Sequence, residues 1–161
     1  MSNSAERGNR LRARHLVPTE IPFRDPTRRA LAATLISAAG LQGRPVTSSA
    51  GEAVGRLADI VVRWDTGNYP KVFGIIVRIG FRRAFMQVEN ISKLDNSGVT
   101  LSSTTFDLRD YERRDGEFLA LDDMIDHQLL DVDGARVVRS SDLYLAKTGR
   151  NYQLVGVDVS F

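Results

Sequence analysis

The stretch Gly51–Val77, GEAVGRLADIVVRWDTGNYPKVFGIIV, and the later stretch Gly134–Val159, GARVVRSSDLYLAKTGRNYQLVGVDV, read as one pattern written twice. A shift of 83 residues lays Gly51 on Gly134, Val54 on Val137, Arg56 on Arg139, Asp59 on Asp142, Asn68 on Asn151 and Tyr69 on Tyr152. After one deleted residue, Gly74 falls on Gly156 and Val77 on Val159. Between these identities Ile60 meets Leu143, Val62 meets Leu145 and Ile75 meets Val157. The shared residues are turn formers and alternating apolar positions, which is the material of a strand framework and not of a catalytic centre. Two copies are too few for a solenoid, which needs at least about three units to bury a continuous core. Two related half-barrels, or two small barrels, fit the pattern better.

Working outward, Ala50-Gly51 and Asp133-Gly134 each sit between apolar segments. A glycine there turns a hairpin, because it takes positive φ without a Cβ clash. Strands are expected at Gly55–Trp64 and Arg139–Lys147, turns at Asp65-Thr66-Gly67 and Thr148-Gly149, and return strands at Val72–Ile79 and Tyr152–Val159. The first copy continues through Ile79-Gly80 into Arg82–Val88, a helical turn Glu89–Leu94, the turn Asp95–Gly98 and a strand Val99–Ser102. Upstream, Asp25-Pro26 has the form of a helix start. Periodicity alone would run that helix to Gly40, but the repeat sets Leu35–Ser37 against Phe118–Ala120 and Ala38–Gly43 against Leu121–Asp126. The expectation is therefore a helix at 26–33, a strand at 34–37, a helical turn at 38–43 and a strand Pro45–Thr47. The second copy has a short strand, one helical turn and a strand Gln128–Asp131. Short strands punctuated every 8–12 residues or so predict a small all-β barrel.

The domain reading is a disordered basic arm at 1–24, a first repeat at 25–103, a charged surface connector at 104–117 and a second, shorter repeat at 118–161. Apolar residues at 42% and charged residues at 26% are ordinary for a globular chain of 161 residues. There is no cysteine, so neither a disulfide nor a thiolate metal site can form. The charge of +2 is divided: residues 1–45 hold eight arginines against Glu6, Glu20 and Asp25, a net +5, while the remainder carries −3. The apolar run Ala30–Ala39 is too short to span a bilayer, which takes about 20 residues. It also begins too late, after acidic residues and prolines, to be a signal peptide. A cytoplasmic location is expected.

GRPVTSSAGEAVGRLADIVVRWDTGNYPKVFGIIVRIGFRRAFMQVENI in the first copy resembles the PRC-barrel family, a six-stranded barrel module. FLALDDMIDHQLLDVDGARVVRSSDLYLAKTGRNYQLVGVDV in the second is similar to the N-terminal region of bacterial soluble proteins often labelled magnesium transporters. In those, PRC-barrel sequence precedes a magnesium-transporter N-domain and paired CBS domains. The resemblance covers about Leu35–Phe161 and rests on Gly51, Gly55, Asp59, Gly74, Gly134, Asp142 and Gly156. It implies a non-catalytic interaction or regulatory module associated with magnesium transport. The alternative is an RNA- or ribosome-linked assembly factor, since a PRC-barrel also occurs in a bacterial ribosome maturation factor. The resemblance transfers no magnesium-ligand motif to this chain. The glycines are expected to let strands bend or backbones approach closely. The two aspartates are expected to bind backbone amides at a bulge or turn.

Other chemistry is sparse. Asp122, Asp123, Asp126, Asp131 and Asp133 supply the oxygens hard cations prefer. Asp122 and Asp123 suit the start of a helical turn and Asp133 suits a hairpin; these roles account for them better, so no metal site is assigned. His15 and His127 lack a ligand-spaced partner, and neither a Gly-x-Ser-x-Gly elbow nor a phosphate-binding glycine loop occurs. An enzyme is not expected, and no cofactor. Arg78, Arg82 and Arg83 interleave with Phe81 and Phe85, the mixture that binds nucleic acid or a partner surface. On an exposed hairpin the same arginines protect an edge. The reading expects a protein partner or adjoining domains, with room for weak RNA contact through the arm and for a homo-oligomer, and without membrane insertion.

Overall fold

β-Branched and aliphatic runs bounded by Gly, Asp and Asn make strands, and the computed structural model of the protein, which describes residues 34–67, 69–103, 105, 107–131 and 136–160, is built from them. In chain order they are β1 (Ile36–Ser37), β2 (Pro45–Thr47), β3 (Ala53–Arg63), β4 (Lys71–Ile79), β5 (Arg82–Gln87), β6 (Ile91–Asp95), β7 (Gly98–Leu101), β8 (Asp107–Asp110), β9 (Glu117–Leu119), β10 (Gln128–Asp131), β11 (Arg136–Thr148) and β12 (Asn151–Ser160). A four-residue helix Ala38–Leu41, a 3₁₀ turn Val88–Asn90 and a π-helical turn Ala120–Met124 are the helical pieces among the described residues after Leu35. The fold is all-β, with short helical turns. The expected arm at 1–24 and helix at 26–33 lie outside the described residues, as do Asp133 and Gly134.

The strands form one sheet in the order β1-β11-β12-β4-β3-β2-β7-β6, curled into a nearly closed barrel, with β10, β5, β8 and β9 branching from it. Side chains join its two ends. Asn96, in the β6–β7 turn, accepts from Ser37 N at 2.9 Å and donates to Leu35 O at 3.0 Å. Its amide thus offers the donor and acceptor that one more peptide unit would. Nearby, Leu94 N donates to the buried Tyr152 hydroxyl at 3.2 Å, tying β6 to β12.

Curvature comes from interrupted ladders. In β3–β4 the register shifts between Leu57 and Asp59 and again between Val61 and Val62. In β11–β12 it shifts between Ser140 and Asp142 and between Tyr144 and Leu145, each 83 residues on. A bulge bends its strand and increases the local twist, which a closing sheet requires. The short strands cross between the hairpins: β1 pairs β11, with Ile36 opposite Leu145, whereas β9 pairs β3, with Leu119 opposite Val61. The described strands of the first repeat, from β1 to β7, and those of the second, from β9 to β12, therefore contribute to one sheet system.

Inside the barrel Leu41, Val46, Leu57, Ile60, Ile75, Leu101, Leu143, Leu145 and Leu154 are fully buried. A second, smaller cluster lies on the outer face of β3–β5, where Val61, Ile76 and Leu119 pack with Ala58, Phe73, Phe85 and Tyr111. Strands covered on both faces lose strict alternation, which explains the unbroken apolar runs Ile60–Val62 and Gly74–Val77.

Two expectations are corrected. The helical turn expected over Glu89–Leu94 is confined to Val88–Asn90, because Ile91–Asp95 pairs with β7. The stretch 104–117 is more than a surface connector. It contributes β8, which pairs with β5, and the first residue of β9.

Candidate functional site

Asp59 is wholly buried on β3 at the first bulge, where its carboxylate accepts three backbone N–H groups: Ile60 at 2.7 Å, Leu121 at 2.9 Å and Asp122 at 3.0 Å. Burial pushes its pKa up while the three N–H bonds pull it down, and burial prevails. Asp142 makes the reciprocal set, accepting from Leu143 N at 2.7 Å, Ala39 N at 2.9 Å and the Ser37 hydroxyl at 2.5 Å. Each aspartate thus holds the helical turn that belongs to the other strand set. These carboxylates are occupied in holding the fold.

The glycines divide. A Cβ on Gly74 would fall 2.4 Å from Met86 O and 2.5 Å from the Phe85 ring, and one on Gly55 would fall 2.4 Å from Arg78 O. Gly51 turns its hairpin with φ +83°. Gly156 differs from its counterpart Gly74: a Cβ there would meet Tyr144 at 3.7 Å, ordinary contact, so close approach does not require glycine.

The acidic residues do not converge. Asp122 pairs with Arg83 at 3.3 Å, while Asp123 accepts from Leu119 N at 2.7 Å and from Arg113 at 2.9 Å. Asp126 turns the chain with φ +63°, its N–H donating to Ser140 O at 2.8 Å. Asp131 is the last residue of β10, opposite Arg136. Among the described residues no group of three or more His, Cys, Asp or Glu comes together to hold a metal ion, and His127 is exposed. His15 lies outside the described residues.

The basic–aromatic set is split by the pleat. Alternation puts Arg83 and Phe85 on the outer face and Arg82 on the opposite one, with Ala84 and Met86. Phe81 sits at the tip of the β4–β5 hairpin, after Gly80 with φ +60°, and is fully exposed. Phe85 is half-buried, its ring centroid 5.8 Å from Phe73 and 5.7 Å from Tyr111. Arg63 lies 4.4 Å over Phe73, and Arg114 lies 5.5 Å over Phe85. Beneath them the buried Glu117 accepts from the Tyr111 hydroxyl at 2.8 Å and Arg114 N at 3.1 Å, with Arg63 at 3.6 Å. Desolvation, then the bond to Glu117, pushes the Tyr111 pKa up to about 12. Sequence reading missed this cluster. Its local signal is an aromatic residue, Tyr111, in a charge-rich stretch.

Beside the cluster, three arginines stand directly opposite one another on adjacent strands: Arg56 on β3 faces Arg78 on β4, which faces Arg83 on β5. Arg78 and Arg83 line a cleft of about 280 Å³ with Gln42, Gly43, Leu57, Ala58 and Asp122.

No protein-family model matches this chain, and no curated protein matches it. Among the described residues no helix is long and apolar enough to cross a membrane.

Proposed function

We propose that this chain is a non-catalytic interaction module of the PRC-barrel type, made of two related strand sets, that docks a protein partner or adjoining domain through the tip of its β4–β5 hairpin. The family reading rests on the sequence patterns quoted above. Support for two related sets comes from the paired bulges and the reciprocal bonds of Asp59 and Asp142. The single observation that carries docking is Phe81, 109% exposed on a fully paired hairpin, where Ile79 and Arg82 close the ladder beneath it. Covering a large aromatic held in water by ordered backbone is favourable by about 25 cal/mol per Å² of apolar surface removed from water. In a magnesium-transport setting the module's part is contact between proteins. RNA- or ribosome-linked assembly is the second reading, favoured by the arginines beside the same hairpin.

Photo-crosslinking from position 81 in cells, with exposed Glu89 as the control position, tests this. A discrete protein adduct specific to position 81 is expected, and Phe81→Ser should remove binding to that protein while leaving the melting temperature unchanged. Adducts of equal yield at both positions would overturn the docking proposal. Adducts to RNA alone would favour the second reading.

A further inference from the structure

We infer that the cleft bounded by Gln42, Gly43, Arg78, Arg83 and Asp122 is a binding site for a phosphate group. The inference goes beyond docking through Phe81 and does not use that residue; its nucleic-acid outcome deepens the second reading, which rests on the same arginines. Arg56, Arg78 and Arg83 occupy directly opposed positions on three neighbouring strands. Opposed side chains have Cβ atoms about 4.5–5.5 Å apart, and like charges there are destabilising. Folding alone does not select such a row.

Compensation within the protein is partial. Asp122 reaches Arg83 at 3.3 Å across a half-exposed pair, and Arg56 donates to Gly43 O at 2.9 Å. Among the described residues the Arg78 guanidinium, in the middle of the row, has neither a hydrogen bond nor an ion pair. The missing Cβ of Gly55 is what lets β3 approach the Arg78 carbonyl.

Guanidinium groups bind oxyanions through parallel N–H···O bonds, which is why arginine gathers where phosphate is recognised. Arg78 and Arg83 flank the cleft with one fork each, and the Gln42 amide adds neutral donors. The net −3 of residues 46–161 leaves the attraction local, at Arg78 and Arg83, with Arg56 beside them in the row. Asp122 occupies the place an incoming anion needs on Arg83, and binding displaces it. The phosphate belongs either to a small phosphate ester or to the backbone of a nucleic acid.

The full chain is titrated with inorganic phosphate, pyrophosphate and a short single-stranded RNA, followed by backbone amide NMR. Pyrophosphate should give saturable shifts at Gly43, Arg78 and Arg83. Arg78→Ala should weaken binding at least about tenfold, since a charge-assisted bond contributes about 1.5–3 kcal/mol. Asp122→Asn should strengthen it several-fold, and Arg82→Ala, on the opposite face, should leave it unchanged. Arg78→Ala should also melt no lower than the parent, because it relieves like-charge repulsion; a loss of stability would overturn the argument from opposed charges. RNA binding lost in Arg78→Ala assigns the phosphate to a nucleic acid, and pyrophosphate binding without RNA binding assigns it to a small ester. Either supports the site. No saturable shift with any probe, or shifts unchanged by Arg78→Ala, would overturn it.

Discussion

Replacing Gly74 by Ala should destabilise the barrel strongly, while the same change at Gly156 should not, although the sequence pattern pairs these two positions. At Gly74 the new methyl carbon would lie 2.4 Å from Met86 O and 2.5 and 2.6 Å from two Phe85 ring atoms. The carbonyl belongs to β5, which is paired with β4 from Gly74 opposite Gln87 to Ile79 opposite Arg82, so it cannot swing away without opening that ladder. Phe85 is in turn wedged against Phe73 and Tyr111. Overpacking of this kind costs about 1–3 kcal/mol. A strained ladder bond adds about 1 kcal/mol, which puts Gly74→Ala near 3 kcal/mol. For a chain of this size each kcal/mol moves the melting temperature by about 2–4 °C, so a fall of roughly 6–12 °C is expected. At Gly156 the nearest atoms stand at 3.7 and 3.8 Å, both on the Tyr144 side chain. Alanine there restricts the unfolded chain and should be neutral or stabilising by about 0.4–1 kcal/mol. Thermal and urea denaturation of both variants, with unchanged m-values, make the measurement. Equal losses at the two positions would refute the steric reasoning.

Asn96→Leu should destabilise by about 0.5–1.5 kcal/mol in urea denaturation, because Ser37 N and Leu35 O exchange the amide that joins the two ends of the sheet for water. Asp59→Asn should cost more than Asp142→Asn, since its amide would set further donors among three backbone N–H groups at a fully buried position. Asp122→Asn, at an exposed side chain, should change the melting temperature little. Tyr111 keeps its proton to about 12 in the folded chain against an ordinary 10.0, so its contribution to stability is complete below pH 10 and is lost as pH rises through about 12. Tyrosinate absorbance should show Tyr111 and Tyr144 titrating late, and Glu117→Gln should lower the midpoint of Tyr111 alone; absorbance unmoved by that change would refute the Tyr111–Glu117 coupling.

Much of the strand framework was legible because its signals are local. Turns such as Gly51 and Gly80 need positive φ, and β3, β4, β11 and β12 run within a few residues of the segments that composition and alternation mark out. The aspartates at 59 and 142 could be singled out by spacing alone. Their partners could not, since Leu121 and Asp122 lie more than 60 residues from Asp59 along the chain. The exchange of β1 and β9 between the long hairpins, and the closure through Asn96, depend on which surfaces remain unpaired once those hairpins have formed. The same holds for the two chemical features of the outer face. Three arginines become a row only when the β3–β4 and β4–β5 registers set Arg56, Arg78 and Arg83 side by side. Tyr111 becomes part of an aromatic cluster only when β8 pairs with β5 and brings the chain after it alongside. Local sequence determines where the backbone can turn and which residues favour a strand. Register decides which side chains meet, and register is set by the whole sheet at once.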